Sequence, residues 1–226
     1  LRLFGAGTFI GAAGRLPRAQ SSFVPDVELA LRAGAGEARV LPGAATRVWR
    51  FTGEVLKGPP QTLQMIPDSY LGPILRLRHG QKVRIRFSNA LTEPTIVHWH
   101  GLDMPAAMDG HPHSAIDPQH EFVYEFEVTN RAGTYWYHPH PHNRTGPQVY
   151  HGLAGLVLIE DDEERALNLP GGSEELACVL QDRRFDTGNQ LTYLSGGMME
   201  QMHGFLGDRV LVNGHERPSW ALAPRA

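Results

Sequence analysis

Tyr135-Trp136-Tyr137-His138-Pro139-His140 and, upstream of it, His98-Trp99-His100-Gly101 are the two stretches on which the reading of this chain turns. Each ends an aromatic-rich, alternating run in a His-x-His pair. In an extended strand, residues two apart face the same side with Cα atoms about 6–7 Å apart. Two imidazoles are therefore presented side by side at each strand end, and if the strands are neighbours, four converge. Outward from these pairs the chain keeps the same short-period pattern. Runs over 95–100, 122–128, 133–138 and 153–160 are each bounded by Gly, Pro, Asn or Asp and read as strands. Leu75-Arg76-Leu77-Arg78 and Val83-Arg84-Ile85-Arg86-Phe87 flank His79-Gly80-Gln81 and read as a hairpin with one wet face. Helical periodicity is scarce, so the expected fold is an all-β Greek-key sandwich.

The bulk composition narrows the function classes. Hydrophobic residues make up 41% and charged residues 20% of the 226, close to the usual globular balance. No apolar run approaches the roughly 20 residues a membrane helix requires, so no membrane partner is expected. A formal net charge of −3 with interspersed signs offers no basic stripe for phosphates, which argues against nucleic acid. Eight of the twelve histidines fall between His98 and His142, and that clustering points to metal.

Residues 1–24 form an N-terminal arm, Gly-rich or the remnant of an export signal; its opening LRLFGAGTFIGAAGRLPRA is similar to the tail of a twin-arginine signal without the arginine pair. A periplasmic or secreted protein is the corresponding expectation. The sandwich is expected over 25–165. The charged run Asp161-Asp162-Glu163-Glu164-Arg165, followed by Pro170-Gly171-Gly172, reads as a linker. Over 166–226 only the runs 176–181 and 209–213 read as strands, with little else to pack against them, so this second unit is expected to be incomplete.

An all-imidazole donor set suits copper, zinc, iron or nickel, and the lack of thiolate and carboxylate donors favours copper or zinc. The words HWHGL (98–102), MDG (108–110), GTYWYHPH (133–140) and GLAGLVLIEDD (152–162), in this order, resemble the first cupredoxin domain of three-domain multicopper oxidases. VLQDRRFD (179–186) and GDRVLVNGHERP (207–218) resemble the opening of that family's second domain. The resemblance implies a cupredoxin-like sandwich followed by the start of another. It implies His98 as a ligand of type 2 copper and His100, His138 and His140 as ligands of the type 3 pair. It also implies Asp109 as an acidic residue delivering protons beside the type 2 ion. The activity implied is a laccase-like oxidase that couples one-electron oxidation of a phenol-like or metal-ion reductant to reduction of dioxygen to water. A copper-binding module or scaffold without enzyme activity is the alternative.

Other candidates rank lower. His111 and His113 form a third His-x-His, but in a Pro-containing loop, and read as surface residues; His142 is at most a neighbour of the ligands. Met198, Met199 and Met202 read as packing or loop residues, with a soft copper(I) contact as the alternative. Cys178 lacks flanking histidines and reads as a buried strand cysteine, so no type 1 site can be built from these residues. The type 1 copper and the remaining four cluster histidines are therefore expected on a C-terminal portion of the same enzyme, present as a second polypeptide.

Overall fold

Val27, Leu29, Leu31 and Ala33 alternate along β1 (Val27–Ala38) and are at most 2% exposed, so one face of this strand is committed to a core before its partners are considered. The computed structural model describes residues 22–220; the arm expected over 1–24 lies outside the described residues up to residue 21. Its strands continue as β2 (Thr46–Lys57), β3 (Leu63–Gln64), β4 (Ile74–Arg78), β5 (Lys82–Ala90), β6 (Val97–His100), β7 (Glu121–Glu127), β8 (Gly133–Pro139), β9 (Gly155–Glu160), β10 (Leu180–Arg183) and β11 (Arg209–Val212). Three short helices join them: α1 (Thr145–Tyr150), α2 (Asp162–Ala166) and α3 (Met198–His203).

Two sheets form the sandwich, one ordered β2-β1-β5-β7 and the other β3-β4-β9-β8-β6. The all-β class expected from the sequence is what the chain adopts. Between the sheets lie Phe51, Phe87, Trp99, Tyr124 and Tyr137, each 0% exposed. Trp99 meets Tyr124 edge-on at 5.3 Å and lies 5.6 Å from the ring of Tyr137. Rings of this size contribute on the order of 2–3 kcal/mol each by burial, which fixes the register of the strands beside them.

The expected hairpin over 75–87 is not one. β4 pairs in parallel with β9, and β5 pairs in parallel with β1, so the two strands belong to opposite sheets. His79-Gly80-Gln81 is an arch across the end of the sandwich, with Gly80 at φ 77 and its N–H donated to Val128 O. Both strands alternate because both face the same core, and alternation cannot tell an arch from a hairpin.

The charged run after β9 holds a helical turn rather than only a linker. Asp161 caps α2 by accepting from Glu164 N at 2.8 Å, and its other oxygen accepts from Ala132 N. Beyond it, β10 and β11 make a two-stranded sheet that does have something to pack against. Leu211, 0% exposed, joins Val48, Tyr70 and Leu71 in a second apolar cluster, and Tyr70 Oη donates to Gln181 Oε1 at 2.9 Å. Cys178 departs from expectation: it is exposed and precedes β10, because residues before Leu180 bond to the Asn213 side chain instead of a full strand partner.

Candidate metal centre

β6 and β8 are antiparallel neighbours at the edge of the five-stranded sheet, with His98 directly opposite His138 and His100 opposite Trp136. The condition set by the sequence is therefore met. His98 and His138 ring centroids lie 5.2 Å apart, His100 and His138 5.4 Å, and His98 and His140 5.2 Å. One nitrogen from each of His98, His100 and His138 falls in a group whose members are all within 4.8 Å of one another. His140 follows the end of β8, its backbone N–H held by Ile96 O; its ring stands beside that of His98 but outside this tightest group.

The ring nitrogens are sorted by their partners. His98 Nδ1 donates to the carbonyl of Asp109 at 2.8 Å, and His138 Nδ1 donates to the carbonyl of Pro139 at 2.8 Å. A carbonyl can only accept, so in both rings Nδ1 carries the proton and Nε2 keeps its lone pair. Metal-binding histidines characteristically donate their second N–H in this way. His100 Nδ1 faces His138 Nε2 at 3.2 Å. An ion bound about 2.0–2.1 Å from each would subtend roughly 100° between them, a normal coordination angle. The Nδ1 atom of His140 is buried with no hydrogen-bond partner among the described residues. An orphaned buried imidazole nitrogen costs stability unless something binds it. Burial pushes the pKa of His138 down to about 4, and the neighbouring rings of His98, His100 and His140 act in the same direction against the Pro139 carbonyl. His138 therefore presents a neutral lone pair at pH 7. Four convergent imidazoles, two with tautomers set and one unsatisfied, fit a copper or zinc donor set.

Asp109 closes one side. Its Oδ1 stands 3.3 Å from His98 Nδ1, and its Oδ2 lies 3.6 Å from His111 Nε2. Gly110 makes this approach possible: at φ 77 it packs so tightly that a Cβ there would sit 1.9 Å from Val97 O. The Asp-Gly turn and the carboxylate beside the cluster are thus two aspects of one structure. His111 and His113 stack on each other at 5.5 Å and bring no ring to the four, and His142 is exposed.

Two supporting residues escaped the sequence reading. Trp136 lies against His138 at 4.2 Å and His100 at 5.1 Å, walling both rings on one side. Its position two before His138 on the same strand was the available signal. Tyr124, fully buried, donates to Val97 O at 2.8 Å and accepts from Val97 N at 3.0 Å, pinning the backbone next to His98. Burial holds its hydroxyl well above the ordinary tyrosine pKa, so it stays a donor. Nothing in the sequence marked that cross-sheet bond.

Comparison with known proteins follows the same geometry. Residues 48–164, just over half the chain, match the family model described as "Multicopper oxidase". A multicopper oxidase of Staphylococcus aureus is 43% identical over 148 residues, which are 66% of this chain and 32% of that protein. The cell division protein FtsP of Escherichia coli is 34% identical over 172 residues, 75% of this chain and 35% of that one. Among solved structures, the 2F4 variant of the multicopper oxidase McoA from Aquifex aeolicus superposes with a TM-score of 0.70 at 36% identity, covering 87% of this chain and 40% of that chain. This sandwich is thus cupredoxin-like, and the chain spans about a third of the length of the curated relatives it matches.

Proposed function

Because the chain belongs to the multicopper oxidase family, we propose that it supplies half of the ligands of a trinuclear copper cluster in a laccase-like oxidase. On this reading His98 binds the type 2 ion, and His100, His138 and His140 bind the type 3 pair. The observation that carries it is the convergence of the two His-x-His pairs across the β6–β8 ladder, with the Nε2 atoms of His98 and His138 carrying the lone pairs. Bound copper supplies the one-electron redox steps that zinc cannot, as reduction of dioxygen to water requires.

The chain's own residues orient and protect. The carbonyls of Asp109 and Pro139 hold two rings in one tautomer, and Trp136 covers the rings of His100 and His138. Asp109, with Oδ1 beside His98 and Oδ2 beside His111, is the carboxylate placed to relay protons toward the cluster. On this reading the remaining cluster histidines and the type 1 copper, with its histidine-flanked cysteine, belong to a C-terminal portion of the enzyme; Cys178 has no histidine beside it. The reductant is a small phenol-like molecule or a metal ion. The signal-like stretch 1–19 supports a periplasmic or secreted location.

The relatives named for cell division keep a non-enzymatic scaffold in view, and one experiment separates the two. Copper content and oxygen uptake are measured for the chain alone and together with the polypeptide that carries the further ligands. Copper held by the chain alone without blue absorption or uptake, both appearing in the mixture, supports the oxidase; Asp109→Asn should then slow uptake at least tenfold at unchanged copper content. Absence of copper from the mixture would sink it in favour of the scaffold.

A further inference from the structure

β10 alternates as strand geometry requires, with Leu180 and Asp182 turned out and Gln181 and Arg183 turned toward the sandwich. Arg183 is only 6% exposed and is the one buried guanidinium among the described residues. Buried charges are ordinarily paired, because removing them from water is costly. Arg183 forms no ion pair among the described residues, whereas its more exposed neighbour Arg184 takes Glu200 at 2.6 Å. The groups that do touch Arg183 are neutral. Its Nη1 donates to its neighbour's carbonyl, Asp182 O, at 2.8 Å, and the guanidinium lies 4.7 Å from the ring centre of Tyr150. The Tyr70 hydroxyl beside it stays protonated, since burial pushes that pKa up against the charge of Arg183. Nε has no hydrogen-bond partner. Neutral neighbours solvate a positive charge without cancelling it.

Arg183 borders a cavity of about 460 Å³ between β10 and the face of β8 and β9 turned away from the core. Ile66, Leu71, Trp136, Val149 and Leu156 give it walls that are mostly apolar. Apolar walls with a few polar groups, at this volume, are what small-molecule sites present. Asp182 also borders the cavity, but its carboxylate accepts from Gly207 N at 2.6 Å and belongs to the other face of the strand.

We propose that this cavity binds a carboxylate, with Arg183 as its counter-charge and Trp136, Leu71 and Leu156 against its apolar body. A guanidinium offers a planar fork that matches the two carboxylate oxygens, and in an apolar surround the pair is stronger than it is in water. The site uses none of the four histidines and does not depend on their role. A free small carboxylate and a carboxylate side chain of a further polypeptide share this chemistry.

The protein's four tryptophans make the test direct. With the full chain 15N-labelled at its indoles, benzoate should shift the Trp136 signal saturably. Trp99, sealed in the core, and Trp49, which borders a different cavity, should not move. Benzamide, of the same shape without the charge, should bind about tenfold more weakly or worse. R183Q should weaken benzoate by the same factor and leave benzamide unchanged, and R183K, which keeps the charge but not the fork, should fall between. T134F, at an exposed position on the cavity wall, should block benzoate while the chain unfolds at the same urea concentration. In the chain combined with the polypeptide that carries the further copper ligands, benzoate binding that persists identifies a free carboxylate as the occupant. Benzoate excluded there, together with weaker association of R183Q, identifies a side chain of that polypeptide. The proposal is overturned if benzamide binds as well as benzoate, if folded R183Q retains wild-type benzoate affinity, or if Trp136 does not respond.

Discussion

The ladder β6–β8 and the ladder β10–β11 are both short antiparallel pairs, four registered positions each, yet one is sealed and the other is open. In the first, Trp99 and Tyr137 are opposite partners and both 0% exposed, because the four-stranded sheet lies over them. In the second, Leu211 is 0% exposed while Leu180 and Val210 are 71% and 63% exposed. Successive side chains of any strand point to opposite faces, which determines which residues share a face and leaves open what covers it. A metal centre needs the sealed kind of ladder. Ligands at its end inherit fixed backbone positions from the core behind them, which a half-covered pair cannot supply.

The sharpest way to break this contrast is Trp99→Ala. It removes the largest fully buried side chain, between His98 and His100, and empties the contact with Tyr124, Phe126 and Tyr137. A loss of about 3–5 kcal/mol is expected in urea unfolding, with a matching loss of metal affinity at β6. Metal binding that survives at full strength in a folded Trp99→Ala chain would show that the histidines do not depend on the sealed core.

That dependence also explains what could be read from the sequence and what could not. His98, His100 and His138 were legible because strand period and His-x-His spacing are local, and local periodicity survives folding. The antiparallel pairing of β6 with β8 was only a condition in the sequence, since register is decided by packing across the sheet. The arch at Gly80 was misread for the same reason: Val83 and Leu77 face one core from opposite sheets, which a one-dimensional pattern cannot express. Tyr124 and the exposure of Cys178 were illegible, because one depends on a bond across the sandwich and the other on the Asn213 side chain replacing a strand partner. Asp161 could have been recognised as a helix cap from Asp-x-x-Glu, where acidic crowding was read instead as a linker.

A smaller effect sharpens the contrast at the edge of the ligand loops. Glu93 joins the loop between β5 and β6 to α1: Arg144 donates to both its oxygens at 3.1 and 2.7 Å, and fully buried Gln148 donates at 2.7 Å. Burial pushes the Glu93 pKa up, but the hydrogen bonds from Arg144 and Gln148 and the charge of Arg144 outweigh it and hold it below the ordinary carboxylate value. A depressed folded-state pKa means the stabilisation is fully present above the unfolded value and is lost as pH falls through the folded one. Glu93→Gln should therefore cost about 1 kcal/mol near pH 7. The gap between variant and wild type should close in acid, below the ordinary carboxylate range. A gap that stays constant across that range would assign the cost to shape rather than charge.

The smallest expected effect is at Leu180, and it tests the open ladder directly. Its side chain is 71% exposed and sits opposite Val212, whereas the neighbouring strand turns Leu211 into the cluster with Tyr70 and Leu71. Leu180→Ser in the chain alone removes apolar surface that already meets water, so stability should change by no more than about 0.5 kcal/mol. Leu211→Ala, one ladder step away and facing inward, should cost about 2–4 kcal/mol in the same measurement. The pair of variants reads out the two faces of one ladder with nearly identical chemistry. Running the Leu180→Ser unfolding curve at two protein concentrations adds a discriminating arm, because a face covered by a second copy makes the cost depend on concentration. A loss above about 1 kcal/mol at both concentrations would mean that Leu180 is already sealed within the chain, and that the difference between the two ladders is not one of burial.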